Sequence, residues 1–316
     1  MVTVDRRTLL KAGATATAAG ALGMTTTGTA AAAVPTPTIH PTSEWGARPA
    51  AGPIVVENHK PTYIVVHHAV DPPMNNDFSL ARAFYVSRYI QNLHMDKNGW
   101  IDSGQQFTNS RGGFVTEGRH RSLEILRGGT QHVQGANVAN HNSEVIGIEN
   151  EGLYSTVDVP QALWDSLVGL VAYIAHQYGI SPEFIKGHRD FNSTECPGQV
   201  LYNRLPELRT AVGRVLGVSV ARAEAEWPLL KPGATGRKVQ LAQEFLRETG
   251  FDVPTDGVFG QSTKDAVAAL SARAGLGRDT CNAAKAETGF LGADVWPLIV
   301  PSGRSAAAWR SDLSKI

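Results

Sequence analysis

A histidine and a cysteine eight residues apart are the first residues whose types suggest metal chemistry. His188 and Cys196 lie in the stretch KGHRDFNSTECPG, where Pro-Gly after the cysteine indicates a turn. Zn²⁺ accepts imidazole nitrogen and thiolate sulfur, and a catalytic zinc has three protein ligands and one open position. We expect the third ligand from His67 and His68, which end the strand-like run YIVV. The sequence therefore predicts a His-His-Cys zinc site.

The chain has two cysteines, and they leave two arrangements open. In an exported protein, Cys196 and Cys281 could join in one disulfide. If Cys196 binds a metal instead, Cys281 remains a free thiol. The two arrangements exclude each other.

Carboxylates end a second strand-like run, VIGIENE. Glu149 follows apolar residues, where a carboxylate is costly unless it is paired, hydrogen-bonded or used. Strand alternation places Glu149 and Glu151 on one face. Near a metal, one of them could accept a proton from water. The alternative is that both mark the solvent end of the strand.

The elements that position these residues follow from hydrophobic periodicity. Apolar residues at helical spacing predict helices over 78–95, 161–178 and 202–216. Strands are predicted over 62–67, 106–108, 113–117, 131–135 and 145–149. Helices interspersed with strands predict an α/β fold with a central sheet flanked by helices.

The first 33 residues have the features of an export signal. DRRTLLK begins with an arginine pair, an Ala/Gly/Thr-rich stretch follows, and small residues precede residue 34. This pattern is typical of a twin-arginine signal peptide. The alternative is a disordered alanine-rich tail. Residues 34–61 are then expected to be a linker and N-terminal segment.

Composition excludes two classes of partner. Lys and Arg total 29, which equals Asp and Glu, so the strongly basic character of nucleic-acid binding is missing. No long apolar run predicts a membrane span in the mature protein. We expect a secreted monomer, extracellular or associated with the cell wall.

Several motifs together resemble one enzyme family. YIVVHHA, IQNLHMDKNGW, VTEGR, VIGIENEG and GHRDFNSTECPG occur in the order found in zinc-dependent N-acetylmuramoyl-L-alanine amidases, whose superfamily includes the peptidoglycan recognition proteins. The resemblance covers residues 62–208 and defines an amidase domain over 62–213. It implies a mixed sheet, peptidoglycan as partner, and zinc bound by His67, His188 and Cys196.

One position departs from this family. Many of these amidases carry a catalytic tyrosine where this chain has Gln105, and a neutral amide cannot act as a base. Either the protein is inactive or another group moves the proton. A branch that resembles cytoplasmic anhydromuropeptide amidases uses a glutamate in a G-I-E-x-E-G strand. Residues 147–152 match that strand, which favours Glu149 as the base.

The resemblance suggests three further site residues. Thr194 stands where the family has Lys or Thr, so its hydroxyl could stabilise the oxyanion, or it could satisfy a turn. Arg119 could bind a muropeptide carboxylate through its guanidinium, or it could be a solvated surface residue. His68, beside the expected ligand, is the third candidate and is assigned to substrate binding.

The last quarter of the chain resembles a second known unit. After a linker over 214–226, residues 227–301 carry LKPGATG, DGVFG and DVWPL in the order of the three-helix peptidoglycan-binding domain. Ser262 and Asp265 resemble a capping box, and residues 302–316 are expected to be a tail. This unit is expected to bind the polymer independently of the catalytic unit. The alternative is a small helical appendage that stabilises the main domain.

Three functions from different classes are compatible with these residues. The first is a zinc hydrolase that cleaves the amide between N-acetylmuramic acid and L-alanine in peptidoglycan. The second is a non-catalytic recognition protein that uses the same groove, although a complete ligand set favours hydrolysis. The third is a zinc peptidase that cuts within the stem peptide, which the sequence does not separate from the first.

Overall fold

A computed structural model of the chain describes residues 33–276 and 287–316. The predicted signal peptide, apart from its last residue, and Cys281 lie outside the described residues. Within the described part, none of the helices combines the length and apolar character needed to cross a bilayer.

Six strands form the main sheet: β1 Ile39–His40, β3 Tyr63–Ala69, β4 Phe107–Asn109, β5 Val115–Glu117, β7 Val145–Glu151 and β8 Ile185–Gly187. Their order in the sheet is β1-β5-β4-β7-β3-β8. Within this sheet only β4 and β5 pair antiparallel; the other neighbouring strands are parallel, so the sheet is mixed. The predicted fold class is confirmed.

Helices flank this sheet and supply its main core. The helices are α1 Thr42–Trp45, α2 Leu80–Asn92, α3 Ser122–Gly128, α4 Gln161–Tyr178, α5 Gln199–Asn203 and α6 Leu205–Leu216. The predicted helix over 161–178 is confirmed, and Gly179 ends it in the left-handed conformation at φ 72°. Leu163, Leu167 and Leu170 pack in one core with Ile64 and Ile148. Removing one such leucine side chain typically costs about 2–5 kcal/mol.

The two faces of the sheet have different surroundings. Ile64, Val66, Ile146 and Ile148 belong to the core that contains α4. Strand alternation sends Val65, with its register partner Gly147, to the other face. There Val65 packs with Val138 and Val145 in a smaller cluster.

Other predicted elements are shifted. The helix over 78–95 is α2, capped by the Ser79 hydroxyl, followed by a π-helical turn over Leu93–Lys97. The helix over 202–216 begins at Leu205, after the separate α5. The strand over 131–135 shortens to β6 His132–Val133, which pairs with β2 Val56–Glu57 outside the main sheet. Strand β8 was not predicted.

The ordered domain begins earlier than residue 62. Ile39 and His40 pair with β5 at the edge of the main sheet. Trp45 is 1% exposed, and its indole nitrogen donates to the Glu117 carbonyl at 2.8 Å. Much of the stretch 34–61, predicted as a linker and N-terminal segment, is therefore part of the folded domain.

The C-terminal region is helical around its own core. Its described helices are α7 Arg237–Glu248, α8 Gln261–Arg273, α9 Trp296–Ile299 and α10 Ala306–Leu313. Trp227 and Trp296 stack with ring centroids 5.9 Å apart. Leu313, in the predicted tail, is buried in this same core, so 302–316 is not a tail. The predicted capping box is wrong, since α8 begins at Gln261 after Gly260.

Candidate metal centre

Three buried side chains converge at one end of the main sheet. His67 lies on β3, and His188 directly follows β8, whose Gly187 is the register partner of Val66. Cys196 comes from the loop after His188, and its sulfur accepts a hydrogen bond from the His68 amide at 3.3 Å. The structure thus brings together the three residues predicted as ligands.

Their separations fit one tetrahedral ion. One ligand atom from each of His67, His188 and Cys196 lies within 4.8 Å of the others. The Cys196 Sγ to His67 Nδ1 distance is 3.6 Å. Tetrahedral zinc with ordinary Zn–N and Zn–S bonds requires about 3.5 Å between such atoms. The donor set and the separation of Cys196 from His67 therefore fit zinc.

The protonation states also suit a metal. Burial, followed by the neighbouring His188, lowers the pKa of His67 well below its usual value. Burial lowers the pKa of His188 to about 4, so both rings are neutral near pH 7. Burial and the Glu149 carboxylate raise the pKa of the Cys196 thiol. A thiolate at this position therefore needs a cation to compensate its charge.

Asn137 orients one of the predicted ligands and was missed by sequence reasoning. Its side chain lies close enough to His67 to act on the pKa of that ring, in the direction that raises it, and its amide nitrogen donates to the Gly104 carbonyl at 2.9 Å. A Cβ at position 147 would come within 2.3 Å of Asn137 Oδ1, so Gly147 makes room for this contact. Such supporting hydrogen bonds fix ring orientation at metal sites. The glycine in the VIGIE run was the one signal available.

Glu149 lies beside the cluster. It is the register partner of His67 on adjacent parallel strands, which places both side chains on the same face of the sheet. Glu149 is 1% exposed, and its charge acts on the Cys196 thiol. The sequence alternative, a carboxylate at the solvent end of the strand, is wrong.

Glu151 is buried as well, but in a different interaction. Its Oε1 accepts from Arg82 Nε at 2.7 Å, and its Oε2 accepts from the Arg111 amide at 3.0 Å. The Arg82 and Glu151 side chains are 7% and 1% exposed. Glu151 therefore has a structural ion pair, and its solvent-end interpretation is wrong too.

Comparison with known proteins agrees with the motifs. Residues 57–199 match the family described as N-acetylmuramoyl-L-alanine amidase, and residues 235–279 match the one described as "Putative peptidoglycan binding domain". Peptidoglycan-recognition protein SC2 of Drosophila melanogaster is 34% identical over 174 residues, 55% of this chain and 85% of the fly protein. The chain belongs to the N-acetylmuramoyl-L-alanine amidase family.

Two further proteins are similar to this chain. The N-acetylmuramoyl-L-alanine amidase of Sus scrofa is 30% identical over 206 residues, which cover 63% of this chain and 32% of the porcine protein. The solved structure of wild-type Drosophila PGRP-LB is 26% identical, with a TM-score of 0.47, and the match covers 53% of this chain and 92% of that one.

Gln105, at the amidase family's tyrosine position, is fully buried. Its amide nitrogen donates to Thr108 Oγ1 at 2.9 Å, and Thr108 is the β4 register partner of Glu149. Gln105 Oε1 has no hydrogen-bond partner among the residues that the structure describes. The glutamine can therefore accept a hydrogen bond near Glu149, although it cannot act as a base.

Thr194 is the second residue of this amidase-family chain predicted to be catalytic. It is buried, and its hydroxyl oxygen accepts from the Cys196 amide at 3.1 Å. This contact fixes the loop that carries the thiol, as the turn alternative expects. The hydroxyl proton is not used by that contact, so the oxyanion role stays a prediction.

The two residues predicted to bind substrate lie in structural contacts. His68 faces away from His67 by strand alternation, and its Nδ1 accepts from the Tyr154 amide at 3.4 Å. Arg119 is buried, with Nε donating to the Ser103 carbonyl at 2.7 Å and Nη1 to Gln134 at 3.0 Å. These placements favour packing and loop anchoring over substrate binding, and the surface alternative for Arg119 is wrong.

Cys196 is buried, and it forms no disulfide within the part of the chain that the structure describes. A metal ligand at this position is therefore compatible with the fold. The alternative partner, Cys281, lies outside the described residues.

Proposed function

We propose that this protein is a zinc hydrolase that cleaves the amide bond between N-acetylmuramic acid and L-alanine in peptidoglycan. The observation that carries the proposal is the His67, His188 and Cys196 cluster with Glu149 beside it on the neighbouring strand. A recognition protein needs neither a complete ligand set nor a carboxylate aligned with it. Membership of the amidase family supports the choice of bond.

The three ligands would hold zinc through two neutral imidazoles and one thiolate. When bound, zinc polarises a carbonyl and lowers the pKa of water. Asn137 would keep the His67 ring oriented from beside it, and Thr194 would keep the Cys196 backbone in place. These contacts hold the ligands before the metal arrives, which reduces the reorganisation that binding requires.

Glu149 would move the proton. Its carboxylate takes a proton from the attacking water as the water oxygen bonds to the amide carbon. It then gives that proton to the leaving nitrogen as the carbon–nitrogen bond breaks. The products are the lactyl carboxylate of the sugar and a peptide with a free amino end. A buried carboxylate suits this role because proton transfer proceeds with little competing solvent.

Gln105 and Thr194 would support the reaction through hydrogen bonds. Neither of them would act as a base towards water. The Gln105 carbonyl oxygen is an available acceptor near Glu149. The Thr194 hydroxyl is an available donor near the ligand loop. A donor of this kind stabilises the charge that develops on the amide oxygen.

The C-terminal helical unit would bind the cell-wall polymer. Its residues 235–279 match a peptidoglycan-binding family, and attachment to the polymer raises the local concentration of substrate. Action on peptidoglycan requires an extracellular or cell-wall location. We therefore propose that the protein is exported by the twin-arginine route. We also propose that it acts as a monomer.

The decisive experiment is product analysis. Purified zinc-loaded protein is incubated with purified cell walls and with a soluble muropeptide, and products are identified by mass spectrometry. Free lactyl groups with new amino-terminal L-alanine support the proposal. New ends inside the stem peptide would instead identify a peptidase. Stoichiometric binding with no cleavage would identify a recognition protein.

A further inference from the structure

The loop that carries Cys196 contacts two different units of the protein. Along this loop, Thr194 and Cys196 are buried towards the metal centre. The alternating residues Ser193 and Glu195 bond instead to the C-terminal helical unit. Both units lie within one compact body, Ala33–Ile316.

Ser193 forms hydrogen bonds with two groups of the C-terminal unit. Its hydroxyl accepts from the Gly292 amide at 2.8 Å and donates to an Asp294 carboxylate oxygen. The two backbones approach so closely that a Cβ at position 292 would lie 2.7 Å from Ser193 Cα. Gly292 has no left-handed φ angle, so close approach is the reason for a glycine here.

Glu195 is bonded in the same way, one residue before the thiol. Its amide donates to Glu287 Oε1 at 2.8 Å, and its carboxylate accepts from Lys231 Nζ. The C-terminal unit therefore contributes hydrogen bonds to the residue next to a predicted ligand.

The contacting segment is itself anchored. Leu291 exchanges two backbone hydrogen bonds with Leu230, at 2.9 and 2.8 Å. Leu291 and Trp296 are fully buried in the C-terminal core. Ser193 and Glu195 therefore bond to a supported surface rather than to a free loop.

The catalytic fold supports the loop from its other side. Arg189 donates from its amide to the Cys196 carbonyl at 3.0 Å. Its Nη2 donates to the Glu195 carbonyl at 2.7 Å. The loop backbone beside Cys196 is therefore hydrogen-bonded from two sides, by Arg189 and by the C-terminal unit.

We infer that the C-terminal unit positions the ligand loop, so that Gly292, Asp294 and Glu287 are positioning residues for Cys196 and Thr194. This inference rests on the proposed zinc centre. It implies that a chain without correct C-terminal contacts binds zinc more weakly and turns over soluble substrate more slowly. Supporting contacts of this kind typically change metal affinity by about 10–100-fold.

The test uses the full-length chain with Gly292→Ala, in which the methyl group separates the two backbones. Gly260→Ala is the matched control, because a Cβ there meets nothing closer than 4.0 Å and the residue has no left-handed φ angle. Asp294→Ala is a second variant, which removes the Ser193 acceptor without adding bulk. Fluorescence of the stacked Trp227 and Trp296 verifies that the C-terminal core is folded.

Three measurements read the loop directly. Chelator competition gives the zinc dissociation constant, and cobalt substitution gives a sulfur-to-metal absorption band that reports the Cys196 bond. Hydrogen exchange reports the Glu195 amide in the metal-free protein. We expect Gly292→Ala and Asp294→Ala to weaken zinc binding about tenfold or more. Both variants should also alter the cobalt absorption band and speed hydrogen exchange of the Glu195 amide. Gly260→Ala should give the wild-type result in all three measurements.

The outcomes separate this inference from the proposed function. Wild-type zinc affinity, cobalt band and exchange in both interface variants would overturn the inference, even for an active amidase. If wild-type protein cleaves nothing but the three measurements change as expected, the inference stands and the hydrolase proposal fails. If wild-type protein binds no zinc, hydrogen exchange of the Glu195 amide is the measurement that tests the inference. Exchange at the wild-type rate in both interface variants would then overturn it.

Discussion

His67 and Glu149 are register partners on adjacent parallel strands. Neighbouring strands lie about 4.8 Å apart, and partners in register project to the same face. The sheet itself therefore sets the separation between a predicted ligand and the predicted base. His188 and Cys196, in contrast, lie after the strands and depend on the contacts of their loop. Substitutions at Glu149 can thus test chemistry with little effect on metal binding.

The first prediction concerns Glu149→Gln, which keeps the size of the side chain and removes its basicity. Loss of a positioned general base typically costs about 10²–10⁴ in rate, so we expect kcat on a soluble muropeptide to fall by this factor. Zinc content and substrate binding should be retained, as measured by metal analysis and calorimetry. The Gln105→Ala variant is the control and should lose about tenfold or less, because an amide is not a base. A wild-type kcat in Glu149→Gln would reject the base assignment.

Part of this site could be predicted because its chemistry is local in the sequence. His188 and Cys196 lie in one motif, and the apolar run before His67 identifies a strand whatever its neighbours are. Strand order, however, depends on pairing between distant residues. The alignment of Glu149 with His67 was therefore available only from the structure.

The roles of the polar residues were harder to predict, because they depend on three-dimensional partners. Arg119 and Glu151 have sequence contexts typical of a site, yet their charges are used by the Ser103 carbonyl and by Arg82. Asn137 lies in no recognisable motif and still contacts His67. The predicted tail failed for a related reason, since only tertiary packing shows that Leu313 completes the C-terminal core.

The second prediction concerns the buried ion pair of Arg82 and Glu151. Glu151→Gln leaves the Arg82 charge buried without a carboxylate, and breaking such a pair costs about 3–5 kcal/mol. We expect urea unfolding to show a loss of this order. The matched control is Glu124→Gln, which breaks the exposed pair with Arg121 and should cost less than about 1 kcal/mol. Equal losses in the two variants would contradict the structural role of Glu151.

The third prediction concerns metal content. Cys196→Ser replaces the thiolate with a weak ligand, so we expect most of the zinc to be lost on dialysis against a mild chelator, as measured by atomic absorption. Cys281→Ser is the control and should keep one zinc per chain. Stoichiometric zinc in Cys196→Ser would reject the ligand assignment. A disulfide between Cys196 and Cys281, mapped in metal-loaded protein by mass spectrometry, would reject it as well.

The last prediction concerns pH and the pair of His120 and Asp102. Their side chains hydrogen-bond at 2.8 Å. This hydrogen bond raises the pKa of His120, burial opposes the shift, and the charges of Asp102 and Glu117 add to it. Because the pKa of His120 is higher in the folded state, the protonated ring stabilises the fold. This contribution is complete below the pKa of the unfolded state, about 6.5, and it is lost as pH rises through the pKa of the folded state.

We therefore expect the difference in the free energy of unfolding between wild type and His120→Gln, measured in urea, to shrink by about 1 kcal/mol or less between about pH 6 and pH 8.5, because the ring is partly exposed. The difference is the quantity to follow, because burial lowers the pKa of His67 and His188, and buried neutral histidines make the total free energy of unfolding rise over the lower part of the same interval. His176→Gln, on the exposed side of α4, should follow the wild-type pH dependence. Identical pH dependences in wild type and His120→Gln would reject the contribution of His120, and a difference that grows with pH would contradict the direction of its pKa shift.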